Sequence, residues 1–165
     1  MELSREEFRE EATEATLLFI IQDGEALLIE KKRGVGEGLF NGPGGKLEGV
    51  ETPEEAAIRE TMEETCVNPL KVEKMGELEF LFGDDPFMFV HVFKASDFTG
   101  TPEETEEARP EWFDTENLPF EEMWPDDRYW MPKMLEEEKF SARFYFDEEG
   151  NEIQDHKFRP PEFQN

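Results

Sequence analysis

At 165 residues the chain suits one domain and leaves no room for a second core with a function of its own. A hydrophobic share of 36%, with 16 Phe, 3 Trp and 2 Tyr, is enough to bury a core and excludes global disorder despite 36% charged residues. The 43 acidic residues against 17 basic ones set a formal charge of −26, which repels polymeric nucleic acid and anionic membrane, so neither is an expected partner.

The single cysteine, Cys66, excludes an internal disulfide, and with His91 and His156 it forms no spaced set for structural zinc. The N-terminus is acidic and polar rather than basic then apolar, and no apolar run reaches membrane-spanning length. No targeting or anchoring signal is expected, and the cytoplasm is the expected compartment. Carboxylates at this density also hold water in concentrated salt, so a halophilic source is an expectation that equal stability at low and molar salt would contradict.

Residues 1–14 are rich in glutamate and read as a flexible or helical lead-in, with the domain spanning 15–159 and a loose tail over 160–165. The run Thr16 to Ile21, the turn pair Asp23-Gly24 and the run Ala26 to Ile29 predict a hairpin of two buried strands. From Gly34 to Gly49, seven glycines and Pro43 predict a loop that brings backbone close to a ligand. Thr52-Pro53-Glu54-Glu55 then supplies a capping threonine, a proline at the first helical position and a glutamate at the third. The helix it starts should run to about Thr65, because Asn68-Pro69 closes it.

Glu77 to Phe82 and Pro86 to Phe93 predict two strands joined at Gly83-Asp84-Asp85. Glu111 to Phe113 adds a short strand after the acidic loop from Thr101 to Arg109, and a mixed sheet is implied. Trp130, Met134 and Leu135 carry helical periodicity within Leu118 to Glu138, preceded by Pro125 and kinked or interrupted at Pro132. Phe140 to Phe146 and Glu152 to Phe158 form a closing hairpin around Asp147 to Gly150. There is no internal repeat.

Glu60, Glu63 and Glu64 stand at i, i+3 and i+4 of the first long helix, so their carboxylates crowd one face and repel. Glu63 and Glu64 also fall in the last turn, where the helix dipole disfavours negative charge. Oxygen-rich clusters of this kind hold magnesium or manganese, whose charge would relieve the repulsion. Three glutamates alone could equally be a solvated face in a glutamate-rich chain. The whole register from Gly45 through Glu51, Arg59 and Glu60 to Glu63 and Glu64, however, resembles the Nudix box, G-x5-E-x7-R-E-U-x-E-E-x-G-U with U apolar, over Gly45 to Val67. Thr61 departs from it at an apolar position and Cys66 at the glycine. A threonine can bond back to a helix carbonyl, whereas a helix that ends through a left-handed residue prefers glycine, so Cys66 is expected to shift or strain that end.

The resemblance implies an α/β chain with the Nudix fold, an α/β/α sandwich around a mixed sheet. It also implies an enzyme: water attacks a nucleoside diphosphate derivative with Mg2+, or Mn2+, as cofactor. The Gly44 carbonyl and Glu60, Glu63 and Glu64 would bind metal, Arg59 would orient an acid, and Glu63 or Glu64 would be the base. Lys31-Lys32-Arg33-Gly34, Asn41 to Lys46, Val90 to Phe93, Arg109-Pro110, Trp112-Phe113 and Met123-Trp124-Pro125-Asp126-Asp127 extend the resemblance over roughly Thr16 to Phe158. They resemble the branch of the family that converts oxidised purine nucleoside triphosphates, such as 8-oxo-dGTP and 2-oxo-dATP, to monophosphate and pyrophosphate.

In that branch Asn41, Trp124, Asp126 and Asp127 would read the base, and Thr16, Lys31, Phe80 and Met88 would line the pocket. Gly44, Gly45 and Lys46 would meet the substrate, and Glu107 would add a metal ligand. A purine needs a flat apolar slot with a few polar groups at its edge. Adjacent carboxylates in such a slot cannot both ionise cheaply, so one of Asp126 and Asp127 should be protonated and donate a hydrogen bond. Exchanging which one holds the proton would let both oxidised guanine and oxidised adenine fit. The alternative for this pair, a helix N-cap, is compatible with that role. Val35, Phe40 and Phe89 depart from the branch at positions expected in the pocket. Other readings are hydrolysis of a methylated purine triphosphate, ADP-ribose or a dinucleoside polyphosphate, or a nucleotide sensor without catalysis. A monomer is expected.

Overall fold

The computed structural model describes residues 2–34 and 36–163. In chain order its elements are α1 (Arg5–Glu11), β1 (Thr13–Gln22), β2 (Glu25–Lys31), β3 (Phe40–Asn41), α2 (Pro53–Thr65), β4 (Asn68–Phe82), β5 (Asp85–Thr99), β6 (Ala108–Asp114), a 3-10 turn (Phe120–Glu122), α3 (Asp127–Leu135), β7 (Phe140–Phe146) and β8 (Ile153–Arg159). The strands form one mixed sheet in the order β3-β2-β1-β5-β4-β7-β8, with β6 also paired to β2. β1 runs parallel to β5 and β4 parallel to β7, while the other pairs are antiparallel.

The pleat sends alternate side chains to two cores. Phe19, Leu28, Leu78, Val92 and Phe144 pack with Trp130, Met131 and Met134 of α3 on one face. Leu18, Ile20, Leu27, Phe93 and Ala95 pack with Ala57 of α2 on the other. The expected sandwich of helices around a mixed sheet is therefore present. Among the described residues no helix is long and apolar enough to cross a membrane.

β1 pairs with β2 only over Ile20 to Gln22. Further back along β1 its free edge is taken by the glycine loop. The N–H of Leu18 donates to the Pro43 carbonyl at 2.8 Å and that of Thr16 to the Gly45 carbonyl at 2.9 Å. This stitching fixes the loop beside α2.

Three expectations change. Residues 2–14, read as preceding the fold, include α1, which is closed by a reciprocal capping box between Ser4 and Glu7 and buries Phe8 completely. Its Arg5 reaches down to Glu77 on β4 at 2.7 Å, so the segment is part of the packed structure. β4 and β5 are each 15 residues long, well beyond the apolar runs that marked them, because charged residues such as Glu73 and Lys74 interrupt the apolar pattern along the added length. α3 begins at Asp127, after Pro125 as expected, but is not interrupted at Pro132 and continues to Leu135.

Candidate active site

Thr52 caps α2 through the expected box with Glu55, with a proline in its first turn. At its other end Cys66 adopts the left-handed conformation that glycine prefers, at φ 65°, and Thr61 bonds back to the Ala57 carbonyl at 2.8 Å. Between these ends the glycine loop meets the acidic face. The Gly44 N–H donates to Glu64 Oε1 at 2.9 Å. A Cβ on Gly44 would lie 1.9 Å from the Thr16 carbonyl oxygen, and one on Gly45 would lie 2.7 Å from the Glu60 carboxyl carbon. At Gly44 only glycine permits this approach of loop and strand, and at Gly45 a side chain would displace the Glu60 carboxylate.

Glu64 is 2% exposed. Burial pushes its carboxyl up to about 7, against the opposing Gly44 hydrogen bond, and burial raises Glu60 as well. Arg59 bonds Glu51 at 2.7 Å, Glu60 at 2.9 Å and Glu63 at 3.3 Å, and its Nη2 also donates to the Lys46 carbonyl at 3.3 Å. Lys31 and Glu107 are close enough to act on Glu64 electrostatically, Lys31 favouring its ionised form and Glu107 opposing it. Lys46 itself is exposed. With Glu60 and Glu63 turned to Arg59, no group of three or more His, Cys, Asp or Glu among the described residues is gathered to hold a metal ion.

On the α3 face, Phe80 and Met88 are direct cross-strand partners, and Phe80 stacks on Phe144 with ring centroids 5.9 Å apart. Trp124, in the turn before α3, lies against the glycine loop, where a Cβ on Gly36 would be 3.3 Å from its ring. Asp126 and Asp127 are both buried, and burial raises both carboxyls, Asp126 to about 6 and Asp127 further because its neighbour is also acidic. Asp126 occupies the N-cap position but makes no capping bond. It accepts instead from the Trp130 indole N–H at 2.8 Å, while Asp127 Oδ2 has no partner among the described residues. The pair does not serve as a cap, and burial together with the adjacent acid favours the protonated form of Asp127.

The sequence matches the family model for the NUDIX domain over residues 12–134. The chain belongs to the Nudix family. An oxidized purine nucleoside triphosphate hydrolase of Danio rerio is 43% identical over 139 residues, 84% of this chain and 88% of that one. A protein of the same name from Mus musculus is 43% identical over 81% of this chain and 86% of its own. A crystal structure of a MutT protein from Bacillus halodurans superposes with a TM-score of 0.79 over 90% of this chain and 99% of that one, at 22% identity, which bears on the fold alone.

Not every expected residue converges on this Nudix site. Thr16 pairs with His91 and shares its face of the sheet, the α2 side, so its side chain points away from Phe80 and Met88 and bonds the Gly45 carbonyl at 3.3 Å. Phe89 lies on that same side, buried beneath α1 with the Arg5 guanidinium 5.6 Å from its ring, and so is not a pocket position. Phe40 packs edge-on to Phe113 in the core at 4.9 Å. Asn41 accepts the Gly42 N–H at 2.8 Å on β3. Val35 lies outside the described residues. In the sequence Trp130 marks helical periodicity and has no site role assigned to it. Its i+4 spacing from Asp126 on a helix is the signal that finds its second role.

Proposed function

We propose that this Nudix protein is a divalent-metal-dependent pyrophosphohydrolase of the cytoplasmic nucleotide pool. It converts oxidised purine nucleoside triphosphates, 8-oxo-dGTP and 2-oxo-dATP, to monophosphate and pyrophosphate. The observation that carries the reading is the buried Asp126-Asp127 pair, in a chain 43% identical over 84% of its length to a relative named for that substrate class.

The donors at α2 fit a hard cation in kind: Glu60, Glu63, Glu64, Glu107 and the Gly44 carbonyl are all oxygen ligands, and the buried Glu64 forms no ion pair among the described residues, Lys31 acting on it only from further off. Mg2+, or Mn2+ in its place, would neutralise phosphate oxygens and acidify a bound water. The chain's residues do the rest. Arg59, fixed by Glu51, orients Glu60 and Glu63. Glu63 or Glu64 accepts the proton of the attacking water, and Lys31 adds positive charge beside the phosphates. Phe80, Met88 and Trp124 form the walls of a flat slot for the purine. Asp127 donates to the base and Asp126 accepts, and moving the proton between them would admit the second oxidised base.

The test is magnesium-dependent pyrophosphate release from 8-oxo-dGTP, 2-oxo-dATP, dGTP, a methylated purine triphosphate, ADP-ribose and a dinucleoside polyphosphate. The oxidised triphosphates are expected to turn over fastest, with all activity lost in EDTA. Preference for ADP-ribose or a dinucleoside polyphosphate would replace the substrate, and nucleotide binding without hydrolysis would make the protein a sensor.

A further inference from the structure

The segment between β5 and β6 crosses the C-terminal end of α2, where the last carbonyls have no partner within the helix. The Glu103 N–H donates to the Thr65 carbonyl at 3.0 Å. One residue of the last turn earlier, the Thr105 hydroxyl donates to the Glu64 carbonyl at 3.2 Å. The same hydroxyl oxygen accepts the N–H of Glu107 at 3.3 Å and of Ala108 at 3.2 Å. On the outer side the Lys32 N–H donates to the Glu107 carbonyl at 2.9 Å, and Lys32 Nζ donates to the Thr105 carbonyl at 2.9 Å. A threonine that only shaped the turn would need just the bonds to its own following N–H groups. The bond to Glu64 carries the connection across to α2.

We propose that Thr105 is a positioning residue of the acid cluster: its hydroxyl ties the main chain of Glu64 to that of Glu107 and sets the spacing at which the two carboxylates share one cation. This rests on the metal-dependent reading above. Glu107 is itself exposed and its carboxylate meets the Arg33 guanidinium at 3.5 Å, so its place relative to Glu64 depends on main-chain ties, of which the Thr105 hydroxyl is the one that reaches the Glu64 carbonyl on α2, and partners that orient ligands govern metal affinity.

The test measures Mn2+ binding to the nucleotide-free protein, from the spin-resonance signal of free Mn2+, alongside the Mg2+ concentration giving half-maximal hydrolysis of 8-oxo-dGTP. Thr105→Val keeps the shape and removes the hydroxyl, and Thr105→Ala serves if the valine variant does not fold. Either should weaken Mn2+ binding about tenfold and raise the half-maximal Mg2+ by the same factor, the low end for an outer partner of a ligand. Thr105→Ser should bind within about twofold of the wild type. Combined with Glu107→Gln, the loss should not exceed that of Glu107→Gln alone, because Thr105 acts through Glu107. Unchanged Mn2+ binding in a folded Thr105→Val protein, a serine variant as weak as the valine one, or fully multiplicative losses would each overturn the proposal. A wild-type protein that binds no Mn2+ would remove the metal reading itself and this inference with it.

Discussion

Two groups of buried glutamates lie on the same face of the sheet and behave oppositely. Beneath α1, Glu77 is 1% exposed, and burial alone would raise its carboxyl, yet Arg5 and Lys74, each at 2.7 Å, hold it down at about 2. Its neighbour Glu79 is bonded by Arg143 at 2.9 Å and by Arg159. Beside the glycine loop Glu64 is equally buried, but only the Gly44 N–H bonds it, with Lys31 acting from further off, and its carboxyl rises to about 7. Burial is common to both, so the partner decides the sign. Acids that hold the fold together come with their cations. Glu64 at the Nudix box, like Asp126 and Asp127 across the sheet, forms no ion pair among the described residues, which suits the contacts proposed for them with a metal ion and a base.

Replacing one acid of each group sharpens the contrast. Glu64→Gln keeps an acceptor for the Gly44 N–H and removes a buried charge, so the folded state should be as stable as the wild type or more so. Hydrolysis should fall about a hundred- to ten-thousandfold, the range for losing an acid-base group. A variant that loses activity only in proportion to lost folded protein would put Glu64 among the structural acids. Glu77→Gln should do the reverse. It leaves Arg5 and Lys74 buried without their counter-charge and should cost about 3–5 kcal/mol in urea unfolding, with turnover per folded molecule unchanged.

Acid tests the same network. Burial first, and then the Lys74 ammonium, push the His91 imidazole from 6.5 down to about 4. Between those values the unfolded chain takes up a proton that the folded one refuses, so the stability is complete above 6.5 and is lost as pH falls toward 4. Glu77 adds a second loss in the same direction, present above 4.5 and removed as pH falls toward about 2. Urea unfolding at pH 7, 5.5 and 4.5 should show a decline of roughly 3 kcal/mol from His91, largely absent in His91→Gln. A flat profile would mean that His91 is solvated rather than clamped between Lys74 and Glu14.

What the sequence made legible follows from distance along the chain. α2, its capping box and the register of Arg59 and Glu60 to Glu64 are local, and each residue sits where its neighbours dictate. The ionic network is not local: Arg5 meets Glu77 across 72 positions, and in sequence Lys74 and Glu77 look like a solvated strand edge. Thr16 and Phe89 were assigned to the pocket because motif order does not say which way a side chain faces. That depends on the register between β1 and β5. Thr105 reaches Glu64 across 41 positions and carries no motif of its own.

Salt should give the smallest effect and divides the two kinds of charge most cleanly. With 43 acidic against 17 basic residues, the repulsion is spread over an exposed surface, where it is screened within a Debye length. Raising NaCl from low to molar concentration should therefore stabilise the wild type by something on the order of 1 kcal/mol, as expected of many weak exposed interactions. The pairing of Glu77 with Arg5 and Lys74 lies beneath α1, out of reach of that screening. The cost of Glu77→Gln should then be the same at both salt concentrations, while the stability of each protein rises in parallel. If salt erased the difference between them, the network under α1 would be no more protected than the surface. If salt stabilised neither, the excess of carboxylates would not be an adaptation to a saline interior.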